Sequence, residues 1–385
     1  MVRVCEVIKT LDVGGAEVLL TERLSLAPKD DLSYTVVCLR ARTRGLTDKL
    51  RNAGVPVVAL SSARGSAPYL RLASTVRRLR PHVVNIHSPL PAGLLRPCLR
   101  LLPHRPRLVS TMHSVHLRRP TAVLNRLTIG LDDITVAVSP LVEGAPTTRG
   151  ARHLVSRVHG VNLAEQRRWA QRAAATRAEF GVPDGAFAVV CIANFTWIKN
   201  HTLLVRAADR VVRQRPDTLF LLAGEGELRT AVAHDIARRG LGERVRILGH
   251  VANARRLAAC ADLVVLSSHH EALPVVIMEA LAAGVPAVCT AVGGVPDLVR
   301  HGHNGILTEP ESAEALAAGI LEAMSPDTHR RLRAGAREDA AVVDMASTAV
   351  WFEGLYRELA AGRPRASRPL QPGNGADRCP PPSRA

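Results

Sequence analysis

Glu271 and Glu279 stand eight positions apart in Glu271-Ala-Leu-Pro-Val-Val-Ile-Met-Glu279-Ala-Leu-Ala-Ala-Gly284, spanning a Leu-Pro turn and the start of an apolar helix. Ionised carboxylates accept hydrogen bonds and hydroxyls donate them, so one glutamate can hold sugar hydroxyls while the other holds a ribose diol. Between them, Ala272, Leu273, Pro274 and Val275 span the helix start, where unpaired backbone N–H groups and the macrodipole favour a phosphate. Together these groups suit a sugar nucleotide. The spacing alone fits an ordinary strand-loop-helix unit with two surface glutamates equally well.

Other residues carry chemistry in the same way. His113 ends a short strand, Leu108 to Met112, at the edge where open parallel sheets place their ligands. A satisfied structural histidine is the alternative reading, and His87 and His116 compete for the role. Gly14 and Gly15 lack Cβ atoms, so their backbone can approach a diphosphate or acceptor closely and take a positive φ; a plain tight turn is the alternative. In Asn194-Phe-Thr-Trp-Ile-Lys199-Asn-His201, Lys199 is either a phosphate-binding point charge or a surface lysine.

Alternating strands and helices must position these groups, and the order predicts a doubly wound α/β architecture. Strands are expected at Val2 to Thr10, Tyr34 to Leu39, Val55 to Ala59, Val83 to His87, Leu108 to Met112 and Ile134 to Ser139. The Gly14-Gly15 loop opens a helix near Ala16 to Leu26, and Leu72, Val76 and Leu79 recur at helical spacing. A helix over Leu163 to Phe180 and a strand over Ala188 to Ala193 begin a second half, in which Ala261 to Ser268 reads as a buried strand ahead of Glu271. Glu279 is expected about two helical turns in. Late in the chain, Trp351, Leu355 and Leu359 fall at i, i+4 and i+8 of one more helix.

In its motifs and their order, the chain from Val2 to about Leu359 resembles the retaining glycosyltransferases of the GT-B fold, glycosyltransferase family 4 type, or group 1. Beside the two glutamates, the resemblance rests on Gly14-Gly-Ala-Glu17, Leu221-Leu-Ala-Gly-Glu-Gly-Glu227, Val245-Arg-Ile-Leu-Gly249, Gly293-Gly-Val-Pro-Asp-Leu-Val and Gly302-His-Asn-Gly305. It implies two Rossmann-like domains facing across a cleft: an acceptor-binding domain over residues 1–162 and a nucleotide-sugar-binding domain over 163–345. A helix over 346–361 would cross back to the first domain, with a Pro/Arg-rich disordered tail over 362–385. Val158-His-Gly-Val-Asn162 stands where the family carries Asn-Gly-Val-Asp before its linker.

The resemblance also implies roles. His113 would hydrogen-bond the transferred sugar, and Glu271 would orient it; these are the catalytic candidates. Gly14, Gly15, Asn194, Lys199, Ala272, Leu273, Pro274, Val275 and Glu279 would bind the donor. The family carries arginine where this chain has Asn194, so Lys199 keeps the charge of a pair that neutralises the diphosphate, while Asn194 adds none. The implied reaction moves a sugar from a nucleotide diphosphate-sugar to an acceptor hydroxyl with retention, by front-face attack, the departing phosphate assisting deprotonation. Preorganised N–H donors and Lys199 would stabilise that phosphate. The chain contains no Asp-x-Asp, so no metal site and no cofactor are expected, the nucleotide-sugar being a substrate. A nucleotide-sugar epimerase of the same fold and a non-catalytic basic scaffold are the alternatives.

Composition narrows the partners. With 51 Lys and Arg against 34 Asp and Glu, the net charge is +17, which favours nucleic acid, anionic membrane or phosphate-bearing ligands. At 3% aromatics there is no stacking platform, so nucleic acid ranks last. Arg96, Arg100, Arg105 and Arg107 are interleaved with leucines and prolines, and Arg118 and Arg119 follow; this reads as a face for lipid headgroups, or simply as a solvated exterior. Arg118, Arg119 and a loop around Pro89 to Gly93 are candidates for the acceptor pocket, the acceptor being lipid-linked or a small molecule. Polysaccharide, glycolipid or glycosylated-metabolite biosynthesis would be served. The 385 residues fit two domains. Apolar runs fall far short of the roughly 20 residues of a membrane span, and Met1-Val-Arg-Val-Cys-Glu-Val-Ile places a glutamate inside its apolar run, unlike a signal peptide. A cytoplasmic protein is expected, with a peripheral place at the inner face of the plasma membrane as the extension. Seven cysteines without a C-x-x-C pair read as reduced, buried hydrophobes.

Overall fold

Runs rich in Val, Leu and Ile fold as buried parallel strands in two separate sheets, as expected where helices cover both faces. The computed structural model describes residues 1–12, 14–27, 31–41, 45–60 and 67–362. The first sheet contains β1 (Val2–Thr10), β2 (Leu32–Arg40), β3 (Val57–Ala59), β4 (Val83–Ile86), β5 (Arg107–Met112), β6 (Ile134–Ala137) and β7 (Leu154–Ser156), in the order β3-β2-β1-β4-β5-β6-β7. Around it lie α1 (Gly15–Leu26), α2 (Gly45–Asn52), α3 (Ala67–Leu79), α4 (Pro89–Arg100), α5 (Arg119–Thr128) and α6 (Pro140–Glu143).

The second sheet has the order β10-β9-β8-β11-β12-β13, from β8 (Phe187–Ile192), β9 (Thr218–Ala223), β10 (Val245–Gly249), β11 (Leu263–Leu266), β12 (Ala287–Thr290) and β13 (Gly305–Thr308). It is covered by α7 (Leu163–Gln171), α8 (Ala173–Glu179), α9 (His201–Gln214), α10 (Arg229–Arg238), α11 (Arg255–Cys260), α12 (Val275–Ala282), α13 (Ala313–Met324) and α14 (Pro326–Asp339). The strand order reverses between β1 and β4 and again between β8 and β11, the switch points outside which open sheets bind ligands. The loops after β1, β4, β5, β8 and β11 therefore carry the candidate residues.

The chain crosses between the sheets twice. Val161 N–H donates to Val343 O at 2.8 Å, and Met345 N–H donates to Val161 O at 3.0 Å. Gly160 is required there, because a Cβ on it would stand 2.4 Å from Val343 O. The returning helix α15 (Met345–Ala360) lays Phe352, Leu355, Tyr356 and Leu359 into the first-domain core with Val4, Leu20, Leu24 and Val36. Each such buried side chain contributes roughly 1.5–3 kcal/mol. The periodicity through Trp351, Leu355 and Leu359 finds this helix but not its centre: Trp351 lies at the margin and Phe352 and Tyr356 inside.

Four expectations are corrected. The helix over Leu163 to Phe180 breaks at Arg172 (φ −100, ψ 13), because the second segment turns so that Arg177 can reach Cys260 O and Asp262. Pro89 to Gly93 is the first turn of α4 rather than a loop; proline suits a helix start, and Gly93 lets α5 approach, since a Cβ there would stand 2.5 Å from Leu124. Arg96 is fully buried, holding Asp132 with two 2.8 Å hydrogen bonds and bonding Asn125, Thr128 and Ser110. Arg100 turns partly inward to Asp133, and Arg107 pairs with the same carboxylate while its side chain stays half-exposed; Arg105, Arg118 and Arg119 are exposed. Glu279 lies little more than one turn into α12.

Of the cysteines, Cys5, Cys38, Cys191, Cys260 and Cys289 are buried thiols and Cys98 is exposed. Cys379 and the expected tail from residue 363 lie outside the described residues. Among those residues, no helix is long and apolar enough to cross a membrane.

Candidate active site

In the second domain, the loop after β8 tightens into a 3-10 turn at Trp197–Lys199 and ends at Asn200, whose left-handed backbone (φ 45) lets its side chain cap α9 through Leu203 N–H. The loop after β11 stitches to it. Ser267 Oγ donates to Lys199 O at 3.1 Å and Asn200 O at 2.9 Å, and His269 N–H donates to Ile198 O at 2.8 Å. This sets Lys199 Nζ 2.6 Å from Glu271 Oε1, which also accepts from Ser268 Oγ at 2.6 Å. An ammonium has three donors, so Lys199 can keep this partner and still meet an anion.

The Gly293-Gly294 turn supports Glu271 from behind. Gly293 has φ +55, a Cβ on it would stand 1.9 Å from Glu271 O, and Gly294 N–H donates to that same oxygen at 2.8 Å. Only glycine fits. Ala272, Leu273 and Pro274 lead into α12, whose first backbone bonds run from Ile277 and Met278 N–H to Pro274 O, so the N–H groups ahead of them form its positive end. Asn194, in the loop after β8, is exposed, its backbone carbonyl accepting from Thr196 N–H at 2.7 Å.

Glu279 is buried among charges. Arg255 Nε is 3.8 Å away, and the same guanidinium binds Glu22 and Glu165, with Lys49 within 3.9 Å of both. Burial, reinforced by Glu22 and Glu165 and opposed by Arg255, pushes the Glu279 carboxyl up to about 7. This cluster joins α1 and α2 of the first domain to α7, α11 and α12 of the second.

On the first-domain side, Glu6 is fully buried in the middle of β1. Its Oε1 accepts from Arg23 at 2.7 Å and Tyr356 at 2.8 Å, and its Oε2 stands 2.8 Å from His87 Nε2. His87 Nδ1 is 3.1 Å from His113 Nε2. Asn85 donates to Tyr356 Oη at 2.8 Å and accepts from Thr111 at 2.9 Å. Burial would raise the Glu6 carboxyl, but Arg23 and His87 hold it down to about 2. Burial, aided by the Arg23 charge, keeps His113 well below the ordinary histidine range, so it is neutral near pH 7.

The halves meet directly. A Cβ on Gly15 would lie 3.7 Å from Val275, Ser139 Oγ donates to Ala272 O at 3.2 Å, and the His116 and His270 rings are 5.5 Å apart. Neither Gly14 nor Gly15 takes the expected positive φ. Gly14 is extended (φ −151), and its open side is filled by the Glu17 carboxylate, 2.5 Å from where a Cβ would stand. Gly14 leaves room for the Glu17 carboxylate, whereas a Cβ on Gly15 would make only an ordinary contact with Val275. Sequence reasoning missed Arg255, Arg23, Tyr356 and the role of Glu6; the one signal was a carboxylate inside an otherwise apolar strand.

Residues 173–339 match the family model of glycosyl transferases group 1. The chain is 25% identical over 277 residues to the N-acetyl-alpha-D-glucosaminyl L-malate synthase of Bacillus anthracis, covering 70% of this chain and 72% of that one. It is 30% identical over 284 residues to the D-inositol 3-phosphate glycosyltransferase of Thermobispora bispora, covering 65% of each. Anabaena Alr3699/HepE, solved in complex with UDP and glucose, superposes with a TM-score of 0.82 at 20% identity, over 93% of this chain and all (100%) of that one. None of these relatives is named as an epimerase, and that alternative gains no support. Motif order, sheet topology and these matches agree: the chain is a glycosyltransferase of the GT-B fold, belonging to group 1.

Proposed function

We propose that the chain transfers a sugar from a nucleoside diphosphate donor to the hydroxyl of an anionic acceptor, with retention and without a divalent metal. The observation that carries this reading is the meeting of Lys199, Glu271 and the positive end of α12 at one point, with Gly15 of the other domain beside Val275. Residues 163–345 hold the donor: Glu279 takes the ribose diol, Glu271 the sugar hydroxyls, and Lys199 with the N–H groups of α12 the diphosphate. Residues 1–162 hold the acceptor, with His113 on the transferred sugar. As the glycosyl bond breaks, negative charge grows on the leaving phosphate, and these preorganised donors stabilise it. That phosphate takes the acceptor's proton. UDP-sugars are the first donors to try, because HepE, a fold neighbour, was solved with UDP and glucose.

The acceptor's charge is supported by the net charge of +17 and by two relatives named for L-malate and D-inositol 3-phosphate. A peripheral membrane position draws support from Leu101, Val123 and Leu127, exposed at 85%, 59% and 76% near Arg105, Arg118 and Arg119. Sedimentation with phosphatidylglycerol vesicles but not phosphatidylcholine vesicles is the expected result. Thermal shifts and slow hydrolysis with UDP, GDP and ADP sugars, in chelator, test the donor. Glu279→Ala should weaken donor binding and abolish turnover with the fold intact; unchanged activity would overturn the site assignment.

A further inference from the structure

We infer that Glu6 and His87 are positioning residues that fix His113 in a single neutral tautomer, with its proton on Nε2 and its Nδ1 lone pair offered to a substrate hydroxyl. The chain of contacts carries this. Glu6 is ionised, and its Oε1 already accepts from Arg23 and Tyr356. Its Oε2 is an acceptor only, so His87 Nε2, 2.8 Å away, carries a hydrogen. Arg23 and Glu6 balance one another in a fully buried setting, so a second cation on His87 would stand uncompensated and costs more than the neutral ring. The neutral ring then has its lone pair on Nδ1, which accepts from His113 Nε2–H at 3.1 Å. His113 Nδ1 has no hydrogen-bond partner among the described residues, and the residue is only partly buried.

The relay therefore turns His113 into an acceptor, matched to a hydroxyl that must donate. A free imidazole would divide between tautomers, and a fraction of the molecules would present an N–H to that hydroxyl. The returning helix α15 anchors the far end, since Tyr356 holds Glu6 and Phe352 lies under the Arg23 guanidinium at 4.2 Å and edge-on to His159. The returning helix thus braces the relay that ends at His113.

This inference rests on His113 touching the transferred sugar, and its test separates the two. Nitrogen NMR of 15N-histidine-labelled protein, with the His113 signals assigned by His113→Gln, should show a proton-bearing Nε2 and a bare Nδ1. In His87→Phe the His113 signals should shift to a tautomer mixture, and kcat should fall by roughly 10- to 100-fold with the donor KM little changed. His87→Gln, whose amide can donate to Glu6 and accept from His113, should restore both. A wild-type His113 with its proton on Nδ1, or an unchanged tautomer in His87→Phe, would overturn the inference. The wild-type spectrum decides this even if His87→Phe does not fold. Full activity in His113→Ala would instead overturn the reading of the site.

Discussion

Glu6 in the first domain and Glu271 in the second each hold a cation close by, at 2.7 Å and 2.6 Å, but in different surroundings. The Glu6 and Arg23 side chains are 0% and 1% exposed and tied to His87 and Tyr356; those of Glu271 and Lys199 are 8% and 27% exposed and lie on loops. A pair sealed inside a sheet cannot exchange its partners for a ligand. It can only orient what touches it, here His87 and through it His113. A pair at a loop mouth can open to receive an anion. On the function proposed above, the molecule separates positioning, done by a dry network in one domain, from binding, done by an ion pair between two loops in the other.

Removing one member of each pair should expose that difference. Glu6→Gln leaves Arg23 buried without its counter-charge and should cost about 3–5 kcal/mol of stability, read from urea unfolding. Lys199→Ala should cost less, because Lys199 is itself partly exposed and the Glu271 carboxylate it leaves keeps the Ser268 hydroxyl. Its kcat/KM should nevertheless drop by about 10²- to 10³-fold, as the leaving phosphate loses its cation. Equal stability losses would erase the distinction.

Glu279 lies between these extremes, buried yet facing the cleft. Burial raises its carboxyl from the ordinary 4.5 to about 7, so between these values the folded protein binds the extra proton and stability falls as pH rises. Glu279→Gln should flatten that slope. Ribose hydroxyls need the ionised form, so donor affinity should improve from pH 6 to pH 8 in the wild type, while the variant should bind about 10-fold more weakly at pH 8 with little pH dependence. The smallest effect is expected at Asn194, which is exposed in the Lys199 loop. Asn194→Arg adds a guanidinium where the family carries one, and donor KM should fall a few-fold, on the order of 1 kcal/mol.

That Lys199 and Glu271 come together was legible in the sequence because their surroundings are local. Lys199, Glu271 and Glu279 sit in loops and a helix start that follow strands with strong apolar patterning, and Gly293-Gly294 betrays the close approach to Glu271. The positioning half is built from residues 350 positions apart, Glu6 and Tyr356, which no period or spacing connects. Arg96 illustrates the opposite error. Its neighbours suggested a solvated face, but a side chain that meets Asp132 bidentately inside the fold has the same local sequence as one that meets a lipid.

The most direct measurement is proton NMR of the wild-type protein turning over a UDP-sugar in chelator, following the anomeric proton of the first product, with Lys199→Ala alongside. A product retaining the donor's anomeric configuration, formed by the wild type and lost in the variant, is the predicted outcome. An inverted product, or a Lys199→Ala variant as fast as the wild type, would contradict transfer at this cleft by the proposed chemistry.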